Sequence, residues 1–283
     1  MPEAQVTVVI PCFNQGQFLA ECLQSLRDQT VQNWCAIVLN DASTDGVTPA
    51  LCDTFADDRV QVLHMPQNLG RALVRNVGIA AAQTEGVLNL DADDKLAPTY
   101  LEKTLPLLLS APEVGVVYTD YQKFDRETGV MHYEAFDQAA LYWRQFIPAG
   151  ALFRRSAWAK TTGYHADFSS GNEDYDIWLR IVEAGYRGIW LPEPLYLYRI
   201  HQASWSSSPG TDANFRTRLL LLQHHKQAFQ QHHATQDFLR DTYVREARRL
   251  RGIGQRMAAR KMYLKALQFR PLAPEALLGT IWP

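Results

Sequence analysis

Three short motifs that would assign a common cofactor or nucleophile are missing from this sequence. No GxGxxG follows a predicted strand and no GxxxxGK[ST] occurs, so dinucleotide-binding and P-loop proteins are disfavoured because their phosphate cradles are absent. The GxSxG elbow is absent too, which disfavours a hydrolase of that type. The chemistry must therefore be sought in other residues.

The chain is also poor in cysteine, in excess charge and in long apolar runs. Its 283 residues include four cysteines and no CxxC pair, which suits buried thiols in a reducing cytosol better than disulfides. With 28 Lys and Arg against 30 Asp and Glu, the net charge of −2 does not indicate a nucleic-acid partner. No apolar run reaches the roughly 18 residues of a membrane span, and the N-terminus has no signal-peptide pattern. We therefore expect a cytoplasmic protein, free or peripheral at the inner face of the membrane.

What the sequence does contain is an alternation of apolar strands and amphipathic helices. This alternation predicts an α/β fold with a mostly parallel sheet flanked by helices. Beyond about residue 115 the strands become shorter, and from about 212 the pattern is that of a C-terminal helical extension. The predicted strands are 6–10, 35–39, 60–63, 87–90, 116–119, 149–153 and 188–191, with helices near 18–26, 71–82 and 174–184.

Polar clusters directly follow three of the strands, at 11–14, 40–45 and 91–94. Because ligands of such sheets bind outside the carboxyl ends of the strands, we expect these clusters to converge on one rim. In the last cluster, alternation places Asp91 and Asp93 on one side, about 6.5 Å apart. Together with Asp94 they suit Mg²⁺ or Mn²⁺ holding a diphosphate. The alternative is an acidic turn that caps the next helix.

Other candidate residues have both a functional and a structural interpretation. A carboxylate at Asp41 could accept from a pyrimidine imide N–H, whereas residues 43–45 are better explained as a turn and helix cap. Arg71 and Arg75 suit phosphate or base oxygens, although at least one of them is expected on a solvated helix face. The acids at 173–176 either favour the start of a helix or supply a general base. His201 is either a metal or diphosphate contact or a packed side chain.

These motifs, taken in order, resemble those of family 2 glycosyltransferases. The resemblance runs from about residue 5 to 206 and leaves out the C-terminal helical region. It implies an inverting, metal-dependent enzyme of the GT-A fold, Rossmann-like, that uses a nucleotide-diphosphate sugar. The matching segments are VVIPCFN (8–14), NDASTDG (40–46), NLG (68–70), RNVG (75–78), LDADD (90–94), ED (173–174) and the tail YRIHQASWS (198–206).

The resemblance also implies roles for single residues. Asn40 departs from it, since Asp is more usual there, but Asp41 is retained. By the resemblance, Asp174 is expected to be the catalytic base. Asp93 is expected to bind the metal, Mn²⁺ or Mg²⁺, with Asp94 and His201 as further ligands. The residues expected to bind the nucleotide sugar are Pro11, Phe13, Asp41, Arg71, Arg75, Asp91, Asp93 and Glu173.

By this resemblance we expect transfer from a UDP-sugar to a hydroxyl of a saccharide or lipid-linked acceptor, in polysaccharide biosynthesis. Residues 1–115 are predicted to form the nucleotide-sugar-binding half, 116–210 the acceptor-binding half and 211–283 the helical extension. Two alternatives remain open: a nucleotide-sugar-binding protein without transferase activity and a sugar nucleotidyltransferase. The second lacks support because residues 11–16 contain no Lys or Arg for a phosphate loop.

The C-terminal segment 245–270 has nine Lys and Arg and one acid, which is a local charge of +8. Three interpretations are open for it. The segment could form a solvated basic helix, a peripheral contact with an anionic membrane, or a helical unit to which another protein docks.

Overall fold

The structure is a computed structural model that describes residues 4–201 and 212–269. The predicted tail beyond His201 as far as Ser206, and the last basic residue of the 245–270 segment, lie outside the described residues. The chain divides into two compact units. In described residues, 4–136, 146–169 and 173–201 form the sheet unit, and 137–145, 170–172 and 212–269 form the helical unit.

The sheet unit is built on one sheet, which has nine strands in the described part of the chain. Its order is β3-β2-β1-β4-β8-β6-β9-β5, with β7 paired to β6. Only β5, β7 and β8 run against the others, so the mostly parallel sheet predicted from the sequence is confirmed. The strands are β1 (Val6–Cys12), β2 (Trp34–Asn40), β3 (Val60–His64), β4 (Gly86–Asn89), β5 (Lys95–Leu96), β6 (Val114–Asp125), β7 (Gly129–Met131), β8 (Leu152–Arg154) and β9 (Arg187–Ile200).

Helices cover this sheet and bury their apolar stripes against it. Helix α3 approaches the sheet so closely that a Cβ on Gly78 would lie 2.5 Å from a Val9 methyl carbon. A glycine is therefore required at that contact. The helices of the sheet unit are α1 (Leu19–Arg27), α2 (Thr48–Thr54), α3 (Gly70–Ala81), α4 (Tyr100–Leu109), α6 (Arg155–Ala159) and α7 (Glu173–Glu183).

Strand β9 is much longer than the sequence pattern predicts. The prediction that it ends near Leu191 was wrong, because the strand continues to Ile200. Pro192 and Pro194 interrupt the apolar pattern, but the strand stays paired with β6 through register shifts around Asp120. This pairing, which no local pattern indicates, carries the end of β9 to the acidic loop that follows β4.

In the described residues the helical unit contains a short helix that the sequence pattern did not predict and four helices of the predicted C-terminal extension. Helices α10 and α11 form a hairpin around a small core of Val244, Ala247, Tyr263 and Ala266. No helix in the described ranges combines the length and the apolar character needed to cross a membrane. The helices of this unit are α5 (Gln138–Leu141), α8 (Ala213–His224), α9 (Lys226–Gln231), α10 (Thr235–Gly252) and α11 (Arg256–Phe269).

Candidate active site

The three carboxylates after β4 lie in one loop, but each has a different environment. Asp91 Oδ1 accepts from Arg75 Nη2 at 2.7 Å. Asp93 Oδ2 lies 2.9 Å from His201 Nε2. Asp94 is buried, and its two oxygens accept from the Tyr196 hydroxyl and from a main-chain N–H of β9, each at 2.8 Å. The loop therefore presents Asp91 and Asp93 at its surface and uses Asp94 internally.

Mutual repulsion and partial burial both raise pKa values among the carboxylates of this loop. Burial, and then the charge of Asp91, raises the pKa of Asp93, while His201 opposes the shift. Burial, followed by the charges of Asp93 and Asp91, raises the pKa of Asp94 well above its usual range. A bound cation would relieve this repulsion. The alternative that the loop caps the next helix was wrong, because the short strand β5 follows it.

A buried arginine joins this loop to the first turn of α7. Arg75 donates from Nη2 to Asp91 and from Nη1 to Glu173 Oε1 at 3.1 Å, and its side chain is only 1% exposed. Arg71 Nε also lies 3.4 Å from Glu173 Oε1. The solvated helix face that we expected for at least one of these arginines is therefore not the environment of Arg75. The arginine brings the ED pair to the same side of the sheet as the acidic loop.

Asp174, the second member of the ED pair, is half-buried beside two tyrosines. Its Oδ1 accepts from the Tyr175 main-chain N–H at 2.9 Å. Burial is the main cause of the raised pKa values of Tyr133 and Tyr164, and the charge of Asp174 adds to both. The carboxylate of Asp174 thus lies within electrostatic range of both tyrosines.

The residues expected around the nucleotide base lie at the carboxyl ends of β1 and β2. Phe13 is 42% exposed, and Pro11 before it is half-buried. Asp41 is buried, and its two oxygens accept from the main-chain N–H groups of Leu69 at 2.7 Å and Gly70 at 2.9 Å. Asp41 therefore holds the start of α3, and any base contact would use its remaining lone pairs.

The structural interpretation of the NDASTDG turn is confirmed. Asp45 Oδ1 accepts from the N–H groups of Val47 at 3.1 Å and Thr48 at 2.9 Å. Val47 is the N-cap residue of α2, so the Asp45 carboxylate satisfies free N–H groups at the start of the helix from two residues before the N-cap. The polar turn after β2 therefore supplies one buried carboxylate and one helix cap.

The sequence analysis did not identify four residues that contact the acidic loop or lie beside Asp174, namely Tyr133, Tyr164, Tyr196 and Arg199. Tyr196 stacks on Tyr121 with a ring separation of 4.2 Å, and Tyr121 in turn meets the edge of Tyr133 at 5.4 Å. Arg199 donates from Nε to the Asp93 carbonyl at 2.7 Å. The only signal for Arg199 was its place two residues before His201 in the tail motif, and nothing in the sequence indicated Tyr133.

Comparison with known proteins identifies the family. The family model for glycosyl transferase family 2 matches residues 7–176, which is more than half of the chain. The chain belongs to glycosyl transferase family 2. Its match to the glycosyltransferase GlyG of Streptococcus pneumoniae is 34% identical over 130 residues, 45% of this chain and 42% of that protein. EpsE of Bacillus subtilis is 30% identical over 203 residues, 69% of this chain and 73% of that protein.

Solved structures confirm the fold. Staphylococcus aureus TarS 1–349 in complex with UDP-GlcNAc aligns over 98% of this chain and 88% of that one, with TM-score 0.71 and 16% identity. The mannosyltransferase PcManGT of Pyrobaculum calidifontis, in complex with GDP-Man and Mn²⁺, aligns over 98% and 78%, with TM-score 0.63 and 21% identity. The predicted glycosyltransferase family and GT-A fold are thereby confirmed. The roles of single residues stay predictions.

Proposed function

We propose that this protein transfers a sugar, with inversion, from a nucleotide-diphosphate sugar to a hydroxyl of a saccharide or lipid-linked acceptor. One observation carries the proposal: a single buried arginine, Arg75, ties the acidic loop at Asp91 to the ED pair at Glu173. Donor-side and acceptor-side carboxylates are thereby held on one edge of the sheet. The nucleotide sugars bound to TarS and PcManGT support this class of donor. We propose UDP as the nucleotide of the donor.

The donor set of the acidic loop fits a divalent cation. We assign Asp93 and His201 as the residues that would hold Mn²⁺ or Mg²⁺, because their side chains lie beside one another and both stay partly exposed. Asp94, the other predicted ligand, is the weaker candidate because both of its oxygens already accept hydrogen bonds. When bound, the cation would supply Lewis-acid stabilisation of the departing diphosphate.

Asp174 is the proposed general base. Its carboxylate takes the proton of the acceptor hydroxyl as that oxygen attacks the donor's anomeric carbon from the face opposite the diphosphate. The anomeric bond to the diphosphate breaks as the new glycosidic bond forms, so the configuration inverts. Glu173 is engaged by two arginines, which makes it the poorer candidate for the base.

The other donor contacts are assigned by position. The exposed ring of Phe13, with Pro11, offers an apolar face to the base. Asp41 would accept from the base through a lone pair that its two main-chain partners leave unused. Arg71, the more exposed of the two arginines, is the better phosphate contact, whereas Arg75 acts through the carboxylates that it bridges.

The helical unit supports a peripheral membrane contact. Met257 and Leu264 are 68% and 50% exposed, lie almost two turns apart on α11, and so share one face. Exposed Arg260 and Lys261 lie on the same side of the helix, within the basic 245–270 segment. Apolar side chains surrounded by cations suit an anionic bilayer surface. The cytoplasmic location expected from the sequence and a role in polysaccharide biosynthesis stay predictions.

Calorimetric titration tests the donor and the metal site, with Asp174→Asn included to show that the proposed base is not needed for binding. UDP, dTDP, GDP and ADP are titrated with Mn²⁺ and with EDTA into the wild type and into Asp93→Asn, Asp174→Asn and Asp28→Asn. Asp28 is an exposed carboxylate at the end of α1 and serves as the matched control. We expect metal-dependent binding of one nucleotide, lost only in Asp93→Asn.

Release of UDP from UDP-sugars then separates catalysis from binding. Asp174→Asn should lower this release by about 10²- to 10⁴-fold without loss of UDP binding, because a general base contributes that much. Binding without release by the wild type would favour the nucleotide-sugar-binding alternative. Formation of UDP-sugar from UTP and a sugar phosphate would favour the nucleotidyltransferase. Failure to bind any nucleotide would refute the proposed site.

A further inference from the structure

The guanidinium of Arg199, at the end of β9, donates to three other segments of the sheet unit. Nε donates to the Asp93 carbonyl at 2.7 Å, on the acidic loop. Nη2 donates to Glu21 of α1 at 3.0 Å, and Nη1 donates to Asp125 at the end of β6 at 3.3 Å. The main-chain N–H of the same residue donates to Asp94 Oδ1 at 2.8 Å. One residue at the end of β9 therefore holds the acidic loop through both its main chain and its side chain.

Aromatic rings enclose this arginine and connect it to His201. The guanidinium carbon lies 4.4 Å from the centre of the Phe124 ring and 4.9 Å from that of Phe18. The Phe18 ring also lies 5.1 Å from the imidazole of His201. Arg199 is only 6% exposed, so its charge is shielded from water and its rotamer is restricted by packing on two sides.

This arrangement fixes the relative placement of the two proposed metal ligands. Asp93 is tied to the end of β9 twice, by its carbonyl to Arg199 and by its carboxylate to His201. The neighbouring carboxylates repel one another, and that repulsion tends to open the loop. The positive charge of Arg199 opposes this tendency from inside the protein. It also lowers the pKa of Glu21, the partner that anchors it on α1.

We propose that Arg199 is a positioning residue for the divalent-cation site of Asp93 and His201. It holds the two ligands at bonding distance before the cation arrives, so that binding requires only a rearrangement of their side chains. The inference rests on the proposed function, because it takes these two residues as the ligands. Partners that orient metal ligands in this way typically contribute 10- to 100-fold to metal affinity.

The test measures Mn²⁺ binding by calorimetry in the presence of saturating UDP, with UDP binding in EDTA as a second readout. Arg199→Met should weaken Mn²⁺ binding about 10- to 100-fold. Arg199→Lys should fall between it and the wild type, since an ammonium can keep the bond to the Asp93 carbonyl but cannot span both acids. UDP binding in EDTA should change less than Mn²⁺ binding in both variants.

Arg154→Met is the matched control. Arg154 is also largely buried and donates to main-chain carbonyls, those of Val114 at 2.9 Å and Ala111 at 3.1 Å, on another part of the sheet unit. Its loss removes comparable packing and hydrogen bonds without touching the acidic loop. Mn²⁺ affinity should stay within threefold of the wild type in this variant.

Three outcomes would overturn the inference. One is Mn²⁺ binding by Arg199→Met within threefold of the wild type, and another is equal weakening by Arg154→Met. If circular dichroism shows that Arg199→Met is unfolded, the test uses Arg199→Lys and Glu21→Gln instead. Unchanged Mn²⁺ affinity in both of these variants is the third outcome. For Glu21→Gln, which frees one end of the guanidinium, we expect a loss of about two- to fivefold. Unchanged Mn²⁺ binding in Asp93→Asn would instead refute the proposed metal site itself.

Discussion

Replacing the buried arginine of the site, Arg75→Met, should destabilise the protein far more than removing a surface arginine. In the wild type, burial opposes the charge of Arg75, but the carboxylates of Asp91 and Glu173 outweigh burial and raise its pKa. Methionine replaces the aliphatic stem of the arginine but not its guanidinium, so both carboxylates lose their cation and their hydrogen-bond donors. The effect thus reports mainly on the loss of the guanidinium.

The magnitude follows from the exposure of the two partners. Breaking a buried ion pair by removing one member typically costs about 3 to 5 kcal/mol, because the remaining charge stays buried. Glu173 is 6% exposed and should account for most of this, although Arg71 still lies 3.4 Å away and reduces it. Asp91 is 35% exposed, so water screens its share. We therefore expect about 3 kcal/mol of lost stability.

Urea denaturation followed by tryptophan fluorescence measures this loss. Arg27→Met is the matched control, because its pair with Asp57 at 3.1 Å is exposed on both sides and is expected to contribute at most about 1 kcal/mol. Adding Glu173→Gln to Arg75→Met should restore part of the stability, since no uncompensated acid then remains buried there. A loss below about 1 kcal/mol for Arg75→Met, equal to that of the surface control, would refute the reasoning.

Three further predictions concern the acidic loop, the start of α3 and the helical unit. Burial and neighbouring carboxylates raise the pKa of Asp94, so the folded state binds more protons than the unfolded state and loses stability as pH rises above the unfolded value. In EDTA, Asp94→Asn should therefore have a higher free energy of unfolding than the wild type at pH 8, as measured by urea titration. The difference between the two free energies should become smaller towards pH 4. A difference that grows on acidification would contradict this. Asp41→Ala leaves two main-chain N–H groups without their acceptor and should cost about 1 to 2 kcal/mol, measured by the same titration, whereas a neutral effect would argue against its role at the start of α3. Met257→Ser with Leu264→Ser should reduce co-sedimentation with phosphatidylglycerol vesicles about tenfold, since burying about half of each exposed side chain contributes roughly 0.7 kcal/mol per residue, and about 1.4 kcal/mol is a factor of ten. The control Leu109→Ser removes an exposed leucine of the sheet unit and should bind vesicles like the wild type.

Local patterns were enough to predict most strands of the sheet, but not β5, β7 or the second half of β9, and they located the polar clusters that follow three of the strands. The strand at 6–10 is a continuous β-branched and apolar run, which is typical of a strand buried on both faces. Asp45 lies just before a helix, where an acid satisfies free N–H groups, and the structure confirms that role. Each of these features depends on neighbours within a few positions, so the amino-acid sequence alone determines them.

Partners distant in the chain decided the rest. Arg75 meets Glu173 across 98 positions, and Arg199 meets Asp94 across 105. No periodicity in a single sequence encodes such pairs. Strand β9 continues past its prolines because β6 provides a partner, and that continuation brings Arg199 and His201 to the acidic loop.

The amino-acid sequence by itself therefore determined which residues carry charge and where each strand delivers them. Only the tertiary structure decided which of those charged side chains are buried and hydrogen-bonded and which stay partly exposed. Asp94 is buried and accepts hydrogen bonds from donors of β9, whereas Asp93 stays partly exposed beside His201. The physical reason is that desolvation and pairing depend on what packs around a carboxylate, and for these residues that environment comes from about a hundred positions away.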